Sequence, residues 1–174
     1  LSPVGFREQG MKLRDGEETD LVEGSGASVN RRGNVTMDGE THDTLFMHPP
    51  YQDGRAGYTF WARVVDLPQD AALDFYTGMG EKSPARSDGV VFKVQLAPMT
   101  DGGCGEFRTV HTSSQKAHSW THQRVSLKKW AGRKVCLRFV SDCGPKNNTT
   151  TDHSHWGDLR IVKQDGTEVM NLLD

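Results

Sequence analysis

Residues that could do chemistry are concentrated in one short segment near the C-terminus, residues 152–158. The segment contains two carboxylates, two imidazoles and an indole: Asp152, His153, His155, Trp156 and Asp158. Carboxylates and imidazoles can hydrogen-bond a polar ligand or hold a cation, and an indole presents a broad apolar face. Each residue also has a structural interpretation, with Trp156 in a core and the aspartates capping turns. The alternation of Leu159 and Ile161 that follows predicts a strand, so we expect a loop that enters a β-sheet.

The composition favours β-structure around these residues. The 174 residues include 19 glycines and 7 prolines but only 34% hydrophobic residues, which suits short strands joined by tight turns. Residues 58–65 and 90–96 place an apolar side chain at every second position, a period typical of strands. Counting such segments predicts about eight or nine strands in an antiparallel, jelly-roll-like β-sandwich.

The length suits one domain, since domains usually contain about 100–200 residues. We predict a single domain over residues 1–174, with an irregular lead-in carrying edge strands at 1–43 and the sandwich core at 44–165. The sequence opens on Leu1-Ser2-Pro3 without a signal-like apolar core, so we expect a mature or excised module.

Charge and hydropathy argue against two classes of partner. The formal net charge is -2 and the isoelectric point is near 6.4, so neither a nucleic acid nor a membrane surface is an expected partner. No apolar run approaches the ~20 residues that span a bilayer.

The three cysteines leave their redox state open. Cys136 and Cys143 lie along one predicted strand and just beyond it, roughly 23 Å apart if extended, so they should not bond to each other. A bridge from Cys104 to either of them and three free buried thiols are both compatible with the spacing.

Aromatic and planar polar side chains in the predicted loops suit a sugar ligand. A pyranose offers an apolar face for an aromatic ring and a rim of hydroxyls for paired donors and acceptors. Consecutive prolines, Pro49 and Pro50, predict a stiff loop. The candidate sugar contacts are Trp120, His118, His153, Tyr51, His48 and Arg86. Core packing is the alternative for Trp120, and an exposed salt bridge is the alternative for Arg86.

Three segments resemble a known family when taken in order. They are Ser87-Asp88-Gly89-Val90-Val91-Phe92-Lys93-Val94, the stretch 125–137, and Asp152-His153-Ser154-His155-Trp156-Gly157-Asp158. Together they resemble the NPCBM-type carbohydrate-binding modules, which are β-sandwiches that accompany glycoside hydrolases and other polysaccharide-active enzymes. The resemblance covers roughly residues 44–165 and departs between Ala97 and Trp120.

The resemblance implies a non-catalytic module that attaches a larger secreted, extracellular or cell-surface protein to its glycan. The expected partners are a polysaccharide or oligosaccharide and a catalytic domain of the same parent chain, with the module itself a monomer. Modules of this kind often hold a structural Ca²⁺, and acidic loops suit that cation. Asp152 and Asp158 are its candidate ligands.

Two other functions remain open from the sequence. A β-sandwich of this size can serve as a structural or protein-docking domain with no glycan ligand. A small polysaccharide lyase or hydrolase would use Tyr51 with His48 or His153 as base, although no nucleophile motif is present.

Overall fold

The computed structural model describes residues 6–174 and consists of two antiparallel β-sheets packed face to face. Strands make up 57% of the chain and helix 4%, which confirms the predicted β-sandwich. The strands are β1 (Gln9–Leu13), β2 (Ser28–Met37), β3 (Glu40–His48), β4 (Tyr51–Gln52), β5 (Arg55–Asp66), β6 (Ala72–Met79), β7 (Val90–Thr100), β8 (Gly103–Cys104), β9 (Arg108–Gln115), β10 (Thr121–Ser126), β11 (Lys134–Asp142), β12 (Ser154–Val162) and β13 (Glu168–Asn171).

The strand count corrects the prediction of eight or nine, because residues 6–174 contain thirteen strands. Strands β4 and β8 contain two residues each, too few to produce an alternating pattern. Strand β2 is largely exposed along its length, so its side chains carry no hydrophobic period. The sheets also extend beyond the predicted core of 44–165 at both ends. The first five residues of the predicted lead-in, including the opening Leu1-Ser2-Pro3, lie outside the described residues.

Each sheet is built from strands that are distant in sequence. The seven-stranded sheet has the order β1-β5-β11-β7-β8, with β4 beside β5 and β9 beside β7. The six-stranded sheet has the order β10-β6-β12-β3-β2, with β13 beside β12. Strands β1 and β2 therefore lie at sheet edges. The alternation predicted for residues 90–96 is observed in β7, where Val90, Phe92, Val94 and Leu96 are buried.

Trp156 lies at the centre of the core between the sheets and is fully buried. Its ring centroid is 5.5 Å from that of Phe75 in its own sheet, and 5.1 and 5.3 Å from those of Phe92 and Phe139 in the other sheet. Its indole nitrogen donates to the Ser141 hydroxyl at 3.0 Å, as a buried indole requires. The structural interpretation of Trp156 is therefore the correct one.

Short helices and a disulfide complete the fold. Helix α1 (Ser83–Arg86) precedes β7. One 3-10 turn (Lys128–Trp130) is followed two residues later by Gly132, whose φ of 71° suits glycine. Cys104 and Cys136 form a disulfide between β8 and β11, which decides the alternatives left open by the spacing. Cys143 is free and buried. Within residues 6–174, no helix is long and apolar enough to cross a membrane.

Candidate functional site

Four of the connections between strands lie at the same end of the sandwich. Ser154, at the start of β12, pairs with Met47 near the end of β3 and with Met79 at the end of β6. In the other sheet, Asp142 at the end of β11 pairs with Tyr58 near the start of β5. The hydroxyls of Ser141 and Ser154 are 2.7 Å apart and join the two sheets at this end. The β3–β5, β6–β7, β9–β10 and β11–β12 connections therefore share one end.

All six predicted sugar contacts lie at this end, although they come from four separate parts of the chain. They occupy these connections or the strand ends beside them: His48, Tyr51, Arg86, His118, Trp120 and His153. The antiparallel topology brings them to one end because each connection joins strands at the same level of the sandwich. Their side chains nevertheless have different surroundings, and only some of them are available to a ligand.

Tyr51 presents an aromatic ring to solvent. Its side chain is 50% exposed, which is unusual for a large hydrophobic residue of this chain. The preceding prolines are buried, and the Tyr51 backbone N–H donates to the Ser25 carbonyl at 2.7 Å. The ring is therefore held outward by a fixed backbone, as the stiff loop predicted.

The Tyr51 ring lines a shallow groove of about 290 Å³ together with residues 147–150 of the β11–β12 connection. We call Tyr51, Asn147, Asn148, Thr149 and Thr150 the tyrosine groove. Its wall consists of amide and hydroxyl groups, which both donate and accept hydrogen bonds. An exposed ring beside such a wall matches the two faces of a sugar.

His48 lies next to the tyrosine groove. Its Nδ1 is 2.8 Å from the Pro49 carbonyl, and its backbone carbonyl accepts a hydrogen bond from Thr59 at 2.7 Å. Burial lowers the pKa of His48, although backbone hydrogen bonds with Pro49, Gly26 and Thr149 oppose this effect. Burial thus favours the neutral form of the ring, which lies near the Thr149 backbone beside the groove.

His153 and His155 continue the surface from His48 across the outer face of the six-stranded sheet. The His48 and His153 ring centroids are 5.6 Å apart, and Phe46 lies 5.8 Å from His153 and 5.2 Å from His155. Arg32 stacks on the Phe46 ring at 4.2 Å. We call Arg32, Phe46, His48, His153 and His155 the imidazole patch.

The imidazole patch holds its histidines in the neutral form. Burial lowers the pKa of His153, and the nearby His48, Arg32 and Lys82 lower it further. Burial also lowers the pKa of His155, to about 4, with Arg32, His153 and His118 acting in the same direction. Neutral imidazoles combine one donor and one acceptor, which suits hydroxyl groups.

Trp120 is too buried for its predicted role as a platform for a sugar. Its side chain is only 9% exposed, and its ring meets His42 edge-on with centroids 5.2 Å apart. The ring also lies over Gly157, where an added Cβ would come within 3.1 Å of it. Because so little of the ring is exposed, Trp120 is a packing residue here. Its indole nitrogen is buried without a hydrogen-bond partner.

His118 and Arg86 are placed at the same end but outside the tyrosine groove. His118 Nδ1 is 2.7 Å from the Met79 carbonyl, which fixes the ring at the end of β6. Arg86 is exposed at the end of helix α1, and the helix is anchored through the Ser83 hydroxyl, which donates to the Thr151 carbonyl at 2.7 Å. No described ion pair includes Arg86, so the predicted salt bridge is not its role among residues 6–174.

The two aspartates nominated for calcium have different partners. Asp158 accepts from the Asp43 backbone N–H at 3.1 Å and contacts His42 Nδ1 at 2.6 Å. Asp152 is fully buried and accepts from the Ser87 hydroxyl at 2.5 Å. Within residues 6–174, no group of three acidic, histidine or cysteine side chains is arranged to hold a metal. Asp152 and Asp158 therefore do not fit one shared calcium site.

Asp152 nevertheless retains an oxygen that could face a cation. Its Oδ2 and the Oδ1 of Asp88 are both buried without a hydrogen-bond partner. The pKa of Asp152 is raised to about 7, mainly by burial and also by the nearby charge of Asp88, while the hydrogen bond from Ser87 acts in the opposite direction. A cation between these two carboxylates remains a proposal, whereas Asp158 is already occupied by protein donors.

Sequence reasoning missed several residues that form this surface. Nothing in the sequence around Arg32 and Phe46 indicates that they lie near His153. They approach it because β2, β3 and β12 are neighbours in one sheet. Residues 147–150 carried a usable signal, a run of planar amides and hydroxyls after the turn residues Gly144 and Pro145. That run lies about a hundred positions from Tyr51, so its proximity to the ring could not be predicted.

Comparisons with known proteins identify related chains and folds. No protein-family model matches the sequence. A protein of Archaeoglobus fulgidus, described only as uncharacterized, is 30% identical over 125 residues. The match covers 67% of this chain but 30% of that protein, so the chain spans less than a third of the length of this relative.

Solved structures with the same fold include carbohydrate-binding modules. A CBM51 module from Clostridium perfringens GH95, solved with methyl-galactose, is 16% identical and has a TM-score of 0.51 over 76% of this chain and 86% of that module. The C-terminal family 22 module of Clostridium thermocellum Xyn10B is 11% identical, with a TM-score of 0.51 over 84% of this chain and 90% of that module. At such identities the likeness concerns the fold, and this chain has the β-sandwich fold of carbohydrate-binding modules.

Proposed function

We propose that this chain is a non-catalytic carbohydrate-binding module whose ligand contacts the tyrosine groove. The observation that carries the proposal is the half-exposed Tyr51 ring on a rigid loop, facing the amides and hydroxyls of residues 147–150. The ring supplies apolar contact to a pyranose face, and the groove wall supplies paired hydrogen bonds to its hydroxyls. The shared fold with CBM51 and family 22 modules supports this function.

His48 and His153 extend the proposed contact beyond the groove. Both have lowered pKa values, so their neutral rings at pH 7 offer donors and acceptors to further hydroxyls. A shallow contact of this kind is expected to bind modestly, because desolvation offsets much of each hydrogen bond. Several sugar units of a polysaccharide would engage the groove and the patch together.

Attachment to a larger secreted protein is part of the same proposal. The Archaeoglobus relative is more than three times as long as the matched region, which supports a module within a longer chain. The Cys104–Cys136 disulfide supports an oxidising compartment outside the cytosol. In such a protein, binding would hold a catalytic domain near its polysaccharide and raise its effective concentration there.

Replacing Tyr51 with alanine should weaken glycan binding by about tenfold or more, since a stacked aromatic anchor typically contributes 2 kcal/mol or more. Tyr51→Phe keeps the ring and is the matched control, with binding expected within about twofold of the natural chain. Affinity would be measured on a polysaccharide panel by retention and calorimetry, with new reducing ends and unsaturated uronate assayed in the same samples.

The panel separates the proposed function from its rivals. Retention without product, lost in Tyr51→Ala while thermal unfolding is unchanged, is the expected outcome. Product formation would assign an enzyme instead. Absence of retention across neutral and acidic polysaccharides would favour a structural or protein-docking domain. Equal binding by Tyr51→Ala and the natural chain would remove the groove from the site.

A further inference from the structure

Two exposed cations act on the histidines of the imidazole patch. Arg32, which belongs to the patch, lowers the pKa values of His153 and His155, and Lys82 lowers that of His153. No ion pair within residues 6–174 includes Arg32 or Lys82. Both side chains are therefore exposed cations with no acidic partner among these residues.

In the other half of the same sheet face, basic side chains are paired with carboxylates. There Asp74 is paired with Arg160 at 2.7 Å and with His122 at 2.8 Å, and Asp158 contacts His42. The cations of that half are neutralised by carboxylates, so they are not free to attract an anion. Arg32, which has no such partner among the described residues, lies in the half that adjoins the tyrosine groove.

Arg32 is preorganised for an anion. Its guanidinium carbon lies 4.2 Å from the centre of the Phe46 ring, which holds the planar group in place by a cation–π contact. The side chain is exposed, so the edge of the guanidinium remains open to a planar two-oxygen partner. Such an edge binds carboxylate or sulfate oxygens through parallel charge-assisted hydrogen bonds.

The patch is continuous with the proposed sugar contact. His48 lies near the Thr149 backbone of the tyrosine groove on one side, and its ring lies 5.6 Å from that of His153 on the other. Phe46 then links His153 to Arg32. If one sugar unit of a polymer stacks on Tyr51, the next units can therefore extend over the imidazoles towards Arg32.

We propose that the glycan is acidic and that the imidazole patch, with Lys82, binds its anionic substituent. This inference rests on the proposed function, because it names the ligand class of the same surface. Arg32 supplies the fork to the anion, Lys82 supplies a second charge, and the neutral imidazoles donate to the flanking hydroxyls. The shared chemistry is a sugar-borne anion, either the carboxylate of a uronate or a sulfate ester.

The test compares binding of the purified chain to polygalacturonate, a sulfated galactan and neutral galactan. Acidic polymers should bind at least about tenfold more tightly than the neutral polymer at low salt, and the preference should fall steeply as salt is raised. The carboxylated and sulfated arms identify which anion is recognised. Arg32→Gln should weaken binding of the preferred acidic polymer about fivefold to tenfold and so reduce the ratio of acidic to neutral affinity by a similar factor.

The neighbouring exposed arginine provides the matched control, since Arg31→Gln makes the same charge change and should have little effect. Lys82→Gln should add to the loss caused by Arg32→Gln. Neutral polymers bound as well as acidic ones, or acidic binding unchanged in the double variant, would overturn this inference and leave the proposed function standing. No binding to any of the three polymers, nor to the wider panel, would overturn both.

Discussion

Removing the Cys104–Cys136 disulfide is expected to lower the free energy of unfolding by about 3–4 kcal/mol. The two cysteines are separated by 32 positions, and the bridge restricts the unfolded chain by closing that loop. Domains of this size are stable by only about 5–15 kcal/mol, so the loss is a large share of the total. Urea unfolding of a Cys104→Ser, Cys136→Ser double variant at neutral pH measures it.

The free thiol provides the control for that experiment. Cys143 is buried, and burial raises the pKa of its thiol to about 11, so it should be unreactive at neutral pH. Cys143→Ser should therefore keep its sensitivity to reductant, whereas the double variant should show none. A loss below about 1 kcal/mol in the double variant would mean that the bridge contributes little.

Asp152 should make the protein less stable as the pH rises from 5 to 9. Burial raises the pKa of this carboxyl to about 7 from an ordinary value of 3.8. A folded pKa above the unfolded one means that the stability contribution is fully present below the unfolded pKa and is lost as the pH rises through the folded pKa. Between pH 5 and pH 9 the loss from this residue is roughly 2–3 kcal/mol.

The comparison with Asp152→Asn isolates this effect, because the amide does not titrate and can still accept from Ser87. The lowered pKa values of His48, His153 and His155 act in the opposite direction, destabilising the folded state as the pH falls. Both chains share that contribution, so the difference between their urea unfolding free energies reports Asp152 alone. A difference independent of pH would contradict the prediction.

Calcium can be tested in the same pair of proteins. If a cation lies between Asp152 and Asp88, millimolar Ca²⁺ at pH 8 should raise the melting temperature of the natural chain, and a chelator should reverse the gain. Asp152→Asn should show a much smaller response, because it loses one charged ligand. No response in the natural chain would leave Asp152 as a buried carboxyl without a bound cation and would end the calcium proposal.

The class of fold was predictable from local signals in particular segments. Residues 90–96 alternate because one face of β7 is buried against the other sheet, and that pattern is visible in the sequence without knowledge of the partners. Residues 58–65 of β5 have both faces buried over part of their length, so burial does not alternate there. The stiffness of Pro49-Pro50 and the stop at Gly132 depend on backbone geometry within a few residues. Edge strand β2 gave no such signal, because neither of its faces is consistently buried.

The sequence by itself determined the β-sandwich and the residue types that a sugar site needs, since both follow from side-chain chemistry and local periodicity. Only the tertiary structure decided which of those residues are available to a ligand. Trp120 is covered by His42 and Gly157, whereas Tyr51 is exposed beside residues 147–150. It also decided that Cys104 pairs with Cys136 and that Asp152 is buried while Asp158 meets His42. These outcomes depend on contacts between segments that are far apart in the chain, and such contacts leave no periodic trace in a single sequence.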